Sequence, residues 1–389
     1  MTSPQNPKLL IVGPYPPPFA GPEMAIKALL ESPISETCLV EHLSTNVRRD
    51  NASKGKPGLG LVVAFFRFTS RLVKRLFQFR PDAVYFFVTA TRMGWLGRDI
   101  WCIALCRLFG ARVITHMRAG HFQNNLRKAK RIELSLIRWA CHRVSWSLVQ
   151  SESLRGQFAG LAPDERVVVL HNMIDTQRYG ATDLGKFDRN TILYLGHLSE
   201  AKGYCEMLRA IPEVAALHPD VVFEFAGAKI EQERNVFHDQ ATGNPLPGES
   251  PEDCFQTNIA GRFERNYKYL GVLDEDAKIA ALSKCSFLVL PSYSEGFSMA
   301  ILEAITMGKP VVCTAVGAMQ DILKTGEHGE IIAPGDTQAL IHGIRRLLES
   351  PQYRDETSGR NASYARRNFS QRVIAERLVE LVGSAIGRS

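Results

Sequence analysis

The sequence predicts an α/β protein made of two doubly wound units with parallel sheets, and three observations support that prediction. First, 389 residues exceed one ordinary core and match two domains of roughly 100–200 residues each. Second, short runs rich in Val, Ile, Leu and Phe alternate with longer stretches of helical period, the pattern of buried parallel strands joined by crossover helices. Third, hydrophobic residues make up 45% and charged residues 22%, with 30 Gly and 20 Pro spread along the chain. That balance belongs to a globular protein and not to a fibrous or disordered one.

In chain order, the first half carries expected strands at 9–12, 83–88, 113–115, 144–149 and 167–170, and the second half at 192–195, 221–226, 287–290, 310–313 and 330–332. Each half then reads as its own doubly wound unit, which binds ligands at the carboxyl ends of its strands. The polar stretch 179–190, with Gly180 and Gly185, is the expected linker. It divides the chain into domains 1–180 and 181–370, followed by a C-terminal helix within 371–389 that can pack back toward the first domain. A second irregular stretch, 240–253, carries Pro245, Pro247 and Pro251 and reads as a surface loop inserted in the second domain, to which the sequence assigns no role.

The opening residues 1–8 lack the basic start and long apolar run of a secretory signal, so a cytoplasmic protein is expected. The longest apolar stretch, 59–66, stops at Arg67, well short of the roughly 20 residues that cross a bilayer. Cys38, Cys102, Cys106, Cys141, Cys205, Cys254, Cys285 and Cys313 include no Cys-x-x-Cys pair and mostly sit among apolar neighbours. They are expected to be reduced core thiols, with no disulfide frame and no zinc site.

The net charge of +7 is unevenly placed: residues 1–185 hold 25 Lys and Arg against 13 Asp and Glu, while the remainder holds 22 against 27. A basic first domain is expected to meet an anionic surface or substrate. Two basic helices are expected there. In 62–79, Phe65, Phe68, Leu72, Leu76 and Phe79 share one face and Arg67, Arg71, Lys74 and Arg75 another. In 126–143 stand Arg127, Lys128, Lys130, Arg131, Arg138 and Arg143. Such helices can lie on anionic lipid; equally, the apolar stripe can pack on the sheet and leave the charges solvated.

The chemistry concentrates in Pro291-Ser-Tyr-Ser-Glu-Gly-Phe-Ser-Met-Ala-Ile-Leu-Glu-Ala-Ile-Thr-Met-Gly-Lys-Pro310. A strand ends at Leu290, a loop carries Glu295 and Gly296, and a helix begins near Ser298, so that the first-turn N–H groups form an anion site. Glu295 and Glu303 add two carboxylates, which accept strong charge-assisted hydrogen bonds from hydroxyl-rich ligands such as sugars. A second motif, Tyr194-Leu-Gly-His-Leu-Ser-Glu-Ala-Lys-Gly203, turns the first strand of the second half into a helix. In the first half, Gly13-Pro-Tyr-Pro-Pro-Pro-Phe-Ala-Gly21-Pro-Glu follows the opening strand, and Val113-Ile-Thr-His116-Met-Arg118-Ala-Gly120-His121-Phe122 runs from a strand into a loop.

Taken together, these motifs resemble those of glycosyltransferase family four, retaining enzymes of the GT-B fold, in which two Rossmann-like domains face each other across a cleft. The resemblance spans most of the chain and extends to His171-Asn172-Met-Ile-Asp175, Phe223-Glu-Phe-Ala-Gly227, Gly308 and Gly317. It implies that a nucleoside-diphosphate sugar binds the second domain: Glu303 takes the ribose, Glu295 the transferred sugar, and the backbone of Gly296, Phe297 and Ser298 lies against sugar and phosphate. Lys202 matches the lysine of the diphosphate clamp, and His197 stands where relatives usually carry Arg. Gly21 belongs to the loop beneath the donor phosphates, and His116, with His121 as the alternative, is placed near the reacting sugar. Implied, too, is a metal-independent reaction with no cofactor besides the sugar nucleotide. The basic first domain and its two basic helices add the expectation of a glycan or lipid-linked acceptor reached by reversible contact with the inner face of a membrane. A sugar-nucleotide epimerase of the same fold is the nearest alternative. A non-enzymatic nucleic-acid or membrane binder is another, although no nucleic-acid module is recognisable and no nucleic-acid partner is expected. A dehydrogenase is disfavoured because no G-x-G-x-x-G follows a predicted strand.

Overall fold

A computed structural model describes residues 6–17, 21–46, 59–120, 122–180, 188–230 and 238–387, with the backbone alone at 59–62. The runner-up His121 and the linker residues 181–187 lie outside the described residues. The chain forms two compact units, Met1–Met173 with Phe369–Ser389, and Ile174–Asn368.

The first unit holds strands β1 (Lys8–Gly13), β2 (Leu39–Ser44), β3 (Ala83–Val88), β4 (Arg112–Met117), β5 (Trp146–Val149) and β6 (Val167–Val169), in the order β2-β1-β3-β4-β5-β6. All pairings between them are parallel. A parallel sheet is covered on both faces, so its strands are apolar throughout. Leu10 and Val12 join one core with Phe68, Leu72 and Leu76 of the helix Leu59–Phe79. Leu9 and Ile11 point the other way, toward Ile26 and toward Ile374, Leu378 and Val382 of the C-terminal helix Gln371–Ala385. That helix is tied in by Gln371, whose side chain donates to the Ala28 carbonyl, and by the Trp146 indole, which donates to the Leu381 carbonyl.

The second unit holds β7 (Thr191–Leu195), β8 (Val222–Ala226), β9 (Tyr267–Gly271), β10 (Phe287–Leu290), β11 (Val311–Thr314) and β12 (Gly329–Ile332), ordered β12-β11-β10-β7-β8-β9 and again parallel. Counted from β7, this is the 3-2-1-4-5-6 order of a dinucleotide-binding fold, whose crevice opens between the strands where the winding reverses. In this unit those strands are β7 and β10.

All ten expected strands are present. Two more, β2 and β9, were not expected, and both are partly exposed at or near a sheet edge. Their side chains are only partly covered, and Leu-Val-Glu-His-Leu-Ser and Tyr-Lys-Tyr-Leu-Gly accordingly lack a continuous apolar run. The expected helix over 126–143 is broken: Phe122–Leu126 and Arg131–Cys141 are separate helices. Lys130 is extended there, and its N–H donates to Glu133 at 2.6 Å, which starts the second helix.

The reduced-thiol expectation also needs correction. Cys205 and Cys254, 49 residues apart, are joined by a disulfide, while the other six cysteines are free and buried. The pair has no sequence signature, because the packing of helix Pro251–Asn258 on helix Tyr204–Leu217 brings it together. Among the described residues no helix is long and apolar enough to cross a membrane.

Candidate active site

The carboxyl ends of β7 and β10 carry the two motifs of the second unit. After β7 the chain passes Gly196 and His197 and makes a short turn, Glu200–Lys202, before Gly203 starts the helix Tyr204–Leu217. Gly203 sits at φ +70°, and a Cβ there would lie 2.1 Å from the Pro291 carbonyl oxygen. Only glycine lets the two loops pack this closely. After β10 the chain runs through Pro291 to Ser298 and enters the helix Met299–Thr306. Gly317, at φ +55°, supports this loop from below: a Cβ would stand 2.3 Å from the Glu295 carbonyl oxygen.

That loop packing brings Lys202 and Glu295 into an ion pair of 2.7 Å. The Lys202 ammonium also donates to the Ser294 carbonyl at 3.4 Å, and the Ser292 hydroxyl donates to Glu295 at 2.9 Å. Phe297 and Ser298 are buried beside them. Ser298 is the N-cap residue of the helix Met299–Thr306, yet its side chain makes no capping bond. The positive end of that helix adds to the Lys202 charge, an arrangement suited to an anion.

Glu303 lies within the same helix and is 6% exposed. Lys278 pairs with it at 2.6 Å, and the Tyr179 hydroxyl donates to it at 3.3 Å. Burial raises the Glu303 carboxyl above its ordinary range, and Lys278 opposes that shift. Tyr179 also donates to Glu275, and Lys278 lies 3.3 Å from Glu275. Tyr179, placed by the sequence reading at the start of a linker, therefore belongs to this unit's polar network. Sequence reasoning also missed Lys278, an unremarkable lysine on the helix Glu275–Lys284. His197 is exposed, and desolvation, followed by the neighbouring Lys202, lowers its pKa. Without a bound anion it is therefore a neutral donor and not a substitute for guanidinium charge.

His116 lies inside β4, not in the loop beyond it, and is 1% exposed. Its Nδ1 is 2.5 Å from the Tyr85 hydroxyl, while its Nε2 is buried without a partner. Burial, then the charge of Arg118, holds its pKa well below the ordinary value. It borders a small cavity with Tyr85, Phe87, Arg118 and His171. Gly21 opens the helix Gly21–Leu30, and a Cβ there would meet nothing within 4 Å. The loop before it is braced by Asn46, which accepts from the Tyr15 N–H at 3.2 Å and donates to the Pro17 carbonyl at 3.1 Å. Glu23, in the first turn of that helix, has a buried carboxylate oxygen without a partner; it closes the motif that begins at Gly13, where the sequence reading assigns it no role of its own.

Two family models cover this chain in succession, Glycosyltransferase Family 4 over residues 41–178 and Glycosyl transferases group 1 over residues 182–366. The chain belongs to this glycosyltransferase family. Among curated relatives it is 26% identical over 227 residues to a glycogen synthase of Mycobacterium tuberculosis, an alignment covering 58% of this chain and 50% of that protein. It is 27% identical over 243 residues to a phosphatidyl-myo-inositol mannosyltransferase of the same species, covering 60% and 57% respectively. The chain thus spans about half the length of the curated relatives it matches. The crystal structure of Anabaena HepE in complex with UDP-glucose superposes with a TM-score of 0.69 at 19% identity, covering 97% of this chain and 100% of that one. The fold of this family member is GT-B, as its strand orders indicate.

Proposed function

We propose that the protein transfers a sugar from a nucleoside-diphosphate sugar to a hydroxyl of a glycan or lipid-linked acceptor, with retention of anomeric configuration and without a metal. The observation that carries this reading is the Lys202–Glu295 pair at the carboxyl ends of β7 and β10, beside the start of the helix Met299–Thr306, whose Ser298 makes no side-chain capping bond. Cleavage of the sugar–diphosphate bond produces an oxocarbenium-like centre and an anionic leaving group. Lys202 and the helix start are placed to stabilise that anion, commonly the largest contribution to such catalysis. In this reading Glu295 holds hydroxyls of the transferred sugar and acts as no covalent nucleophile; Glu303 holds the ribose hydroxyls. By the family resemblance His116 is assigned to the reacting sugar and the Gly21 loop to the donor phosphates. Likeness to a structure crystallised with UDP-glucose supports a sugar nucleotide as donor.

For the acceptor, the first unit's surface favours an anionic lipid interface. The helix Leu59–Phe79 buries Phe68, Leu72 and Leu76 and exposes Phe66 beside Arg67, Arg71, Lys74 and Arg75. On the helix Arg131–Cys141, Ile132, Leu136 and Trp139 are exposed alongside Arg131 and Arg138. Apolar side chains flanked by cations are the composition of a helix that lies on a membrane surface.

The test is sugar transfer and nucleoside-diphosphate release by Glu303→Ala and Lys202→Ala, each checked for intact folding by circular dichroism. Both are expected to lose most activity. Wild-type turnover in the two variants would reject the reading, and nucleotide release without any acceptor would favour the epimerase.

A further inference from the structure

The stretch 240–253, a surface loop to which the sequence assigns no role, has as its neighbours the two loops of the candidate donor site. Asp239 folds its start into a tight turn, accepting from Ala241 N–H at 2.8 Å and from the Thr242 hydroxyl at 3.0 Å. Gln240 then grips the loop after β10 at two points. Its N–H donates to the Tyr293 carbonyl at 2.9 Å, and its side-chain oxygen accepts from the Glu295 N–H at 3.0 Å. Farther on, the Gly248 N–H donates to both carboxylate oxygens of Glu200, at 3.2 and 3.0 Å, on the turn that carries Lys202. Glu249 pairs with Arg209 of the helix Tyr204–Leu217. Cys254 closes the segment through its disulfide to Cys205, three residues beyond Lys202.

Most of the segment between Gln240 and Ser250 is exposed, so no apolar core holds it in place. Up to Ser250 its order rests on those polar contacts, and its end is anchored by the disulfide and by the packing of the helix Pro251–Asn258 on the helix Tyr204–Leu217. Because the remaining six cysteines are free and buried, the bond belongs to no disulfide framework. An isolated disulfide of this kind, in a reducing compartment, is usually a redox-sensing one.

We propose that the segment 238–254 is a strap that positions Glu295 and Lys202 for the sugar nucleotide, and that the Cys205–Cys254 disulfide locks it, so that reduction loosens donor binding. The proposal rests on the functional reading above, since the site it regulates is that donor site. Gln240 is in this sense a positioning residue acting through the Glu295 backbone. The chemistry is thiol–disulfide exchange with a dithiol reductant. One reductant thiolate attacks Cys254 Sγ, the more exposed of the two sulfurs by residue, and Cys205 leaves as a thiolate. The second reductant thiol then displaces Cys254, so that two electrons and two protons reach the protein and the reductant becomes a disulfide.

The test uses the full chain purified without reductant, with thiols counted by alkylation and mass spectrometry. Affinity for UDP, GDP and ADP is measured before and after dithiothreitol, and amide exchange is followed in the peptide spanning 291–298. The oxidised protein should bind its nucleotide about five- to tenfold more tightly than the reduced protein, the scale of one or two lost hydrogen bonds. Cys254→Ser should match the reduced protein and ignore dithiothreitol. Gln240→Ala, with its disulfide intact, should show a similar loss and faster exchange at 291–298 without a lower melting temperature. Equal affinity after complete reduction, a Cys254→Ser variant that still responds to dithiothreitol, or both cysteines alkylated at the outset would overturn the proposal. If the oxidised protein binds no nucleotide at all, the functional reading fails instead. Exchange at 291–298 then judges the strap alone: protection lost on reduction supports it, and unchanged protection removes it.

Discussion

Glu303 is a buried carboxylate: burial raises its pKa, and one cation, Lys278 at 2.6 Å, opposes that shift. Removing that cation strands the carboxylate, and breaking a largely buried pair typically costs about 3 kcal/mol or more. Lys278→Met should lower stability to urea by that order, and the double variant Lys278→Met/Glu303→Gln should recover part of it; additive losses would show that the two groups do not interact. His116 gives a pH prediction. Its folded pKa lies below the 6.5 of a free imidazole, so the unfolded chain takes up the proton first. The stability it contributes is complete above about pH 6.5 and is lost as the pH falls through the lower folded value. Acidification from pH 8 to 5 should therefore lower the urea midpoint, and His116→Asn should flatten that fall. An unchanged slope would mean the imidazole is already protonated or solvated in the native state.

At the scale of elements, the helix Leu59–Phe79 has two faces with separable duties. Leu72 is 1% exposed in the first unit's core, and Leu72→Ala should cost about 2–5 kcal/mol of stability. Phe66 is 65% exposed, so Phe66→Ser should leave the urea midpoint within experimental error while reducing flotation with anionic liposomes. Equal flotation of Phe66→Ser and wild type would leave this side chain as mere surface. The β7 and β10 loops make a third case. Gly203→Ala would place a methyl group 2.1 Å from the Pro291 carbonyl oxygen in a left-handed backbone, which should cost roughly 1–3 kcal/mol and separate Lys202 from Glu295. Nucleotide binding should fall with stability; retained affinity at low temperature would show that the loops tolerate a wider gap.

For the molecule as a whole, the basic excess lies entirely in residues 1–185 and the remainder is acidic. Opposite charge in the two halves predicts that salt weakens binding of the first unit to anionic vesicles over the range where the Debye length shrinks below about 10 Å, while nucleotide affinity responds less. Flotation at low and high salt checks this, and salt-independent flotation would point to apolar insertion instead. Much of this architecture was legible in the sequence because a parallel strand buried on both faces must be apolar along its length: Leu9 to Val12 and Phe287 to Leu290 announce themselves. The strands β2 and β9 escaped because their side chains are only partly covered, so polar residues interrupt the apolar run. The motifs carrying Lys202, Glu295 and Glu303 also stand out in the sequence, since glycine, charged side chains and a helix start fall within a few residues of a strand end. By itself, then, the sequence determined the two sheets, the family and the short-range chemistry of each loop. Only the tertiary structure decided that Lys278 and Tyr179 would serve Glu303, that His116 would lie inside a strand against Tyr85, and that Cys205 would meet Cys254 across a proline-rich strap. These are contacts between residues tens of positions apart, created by the packing of one element on another, and no local spacing records them.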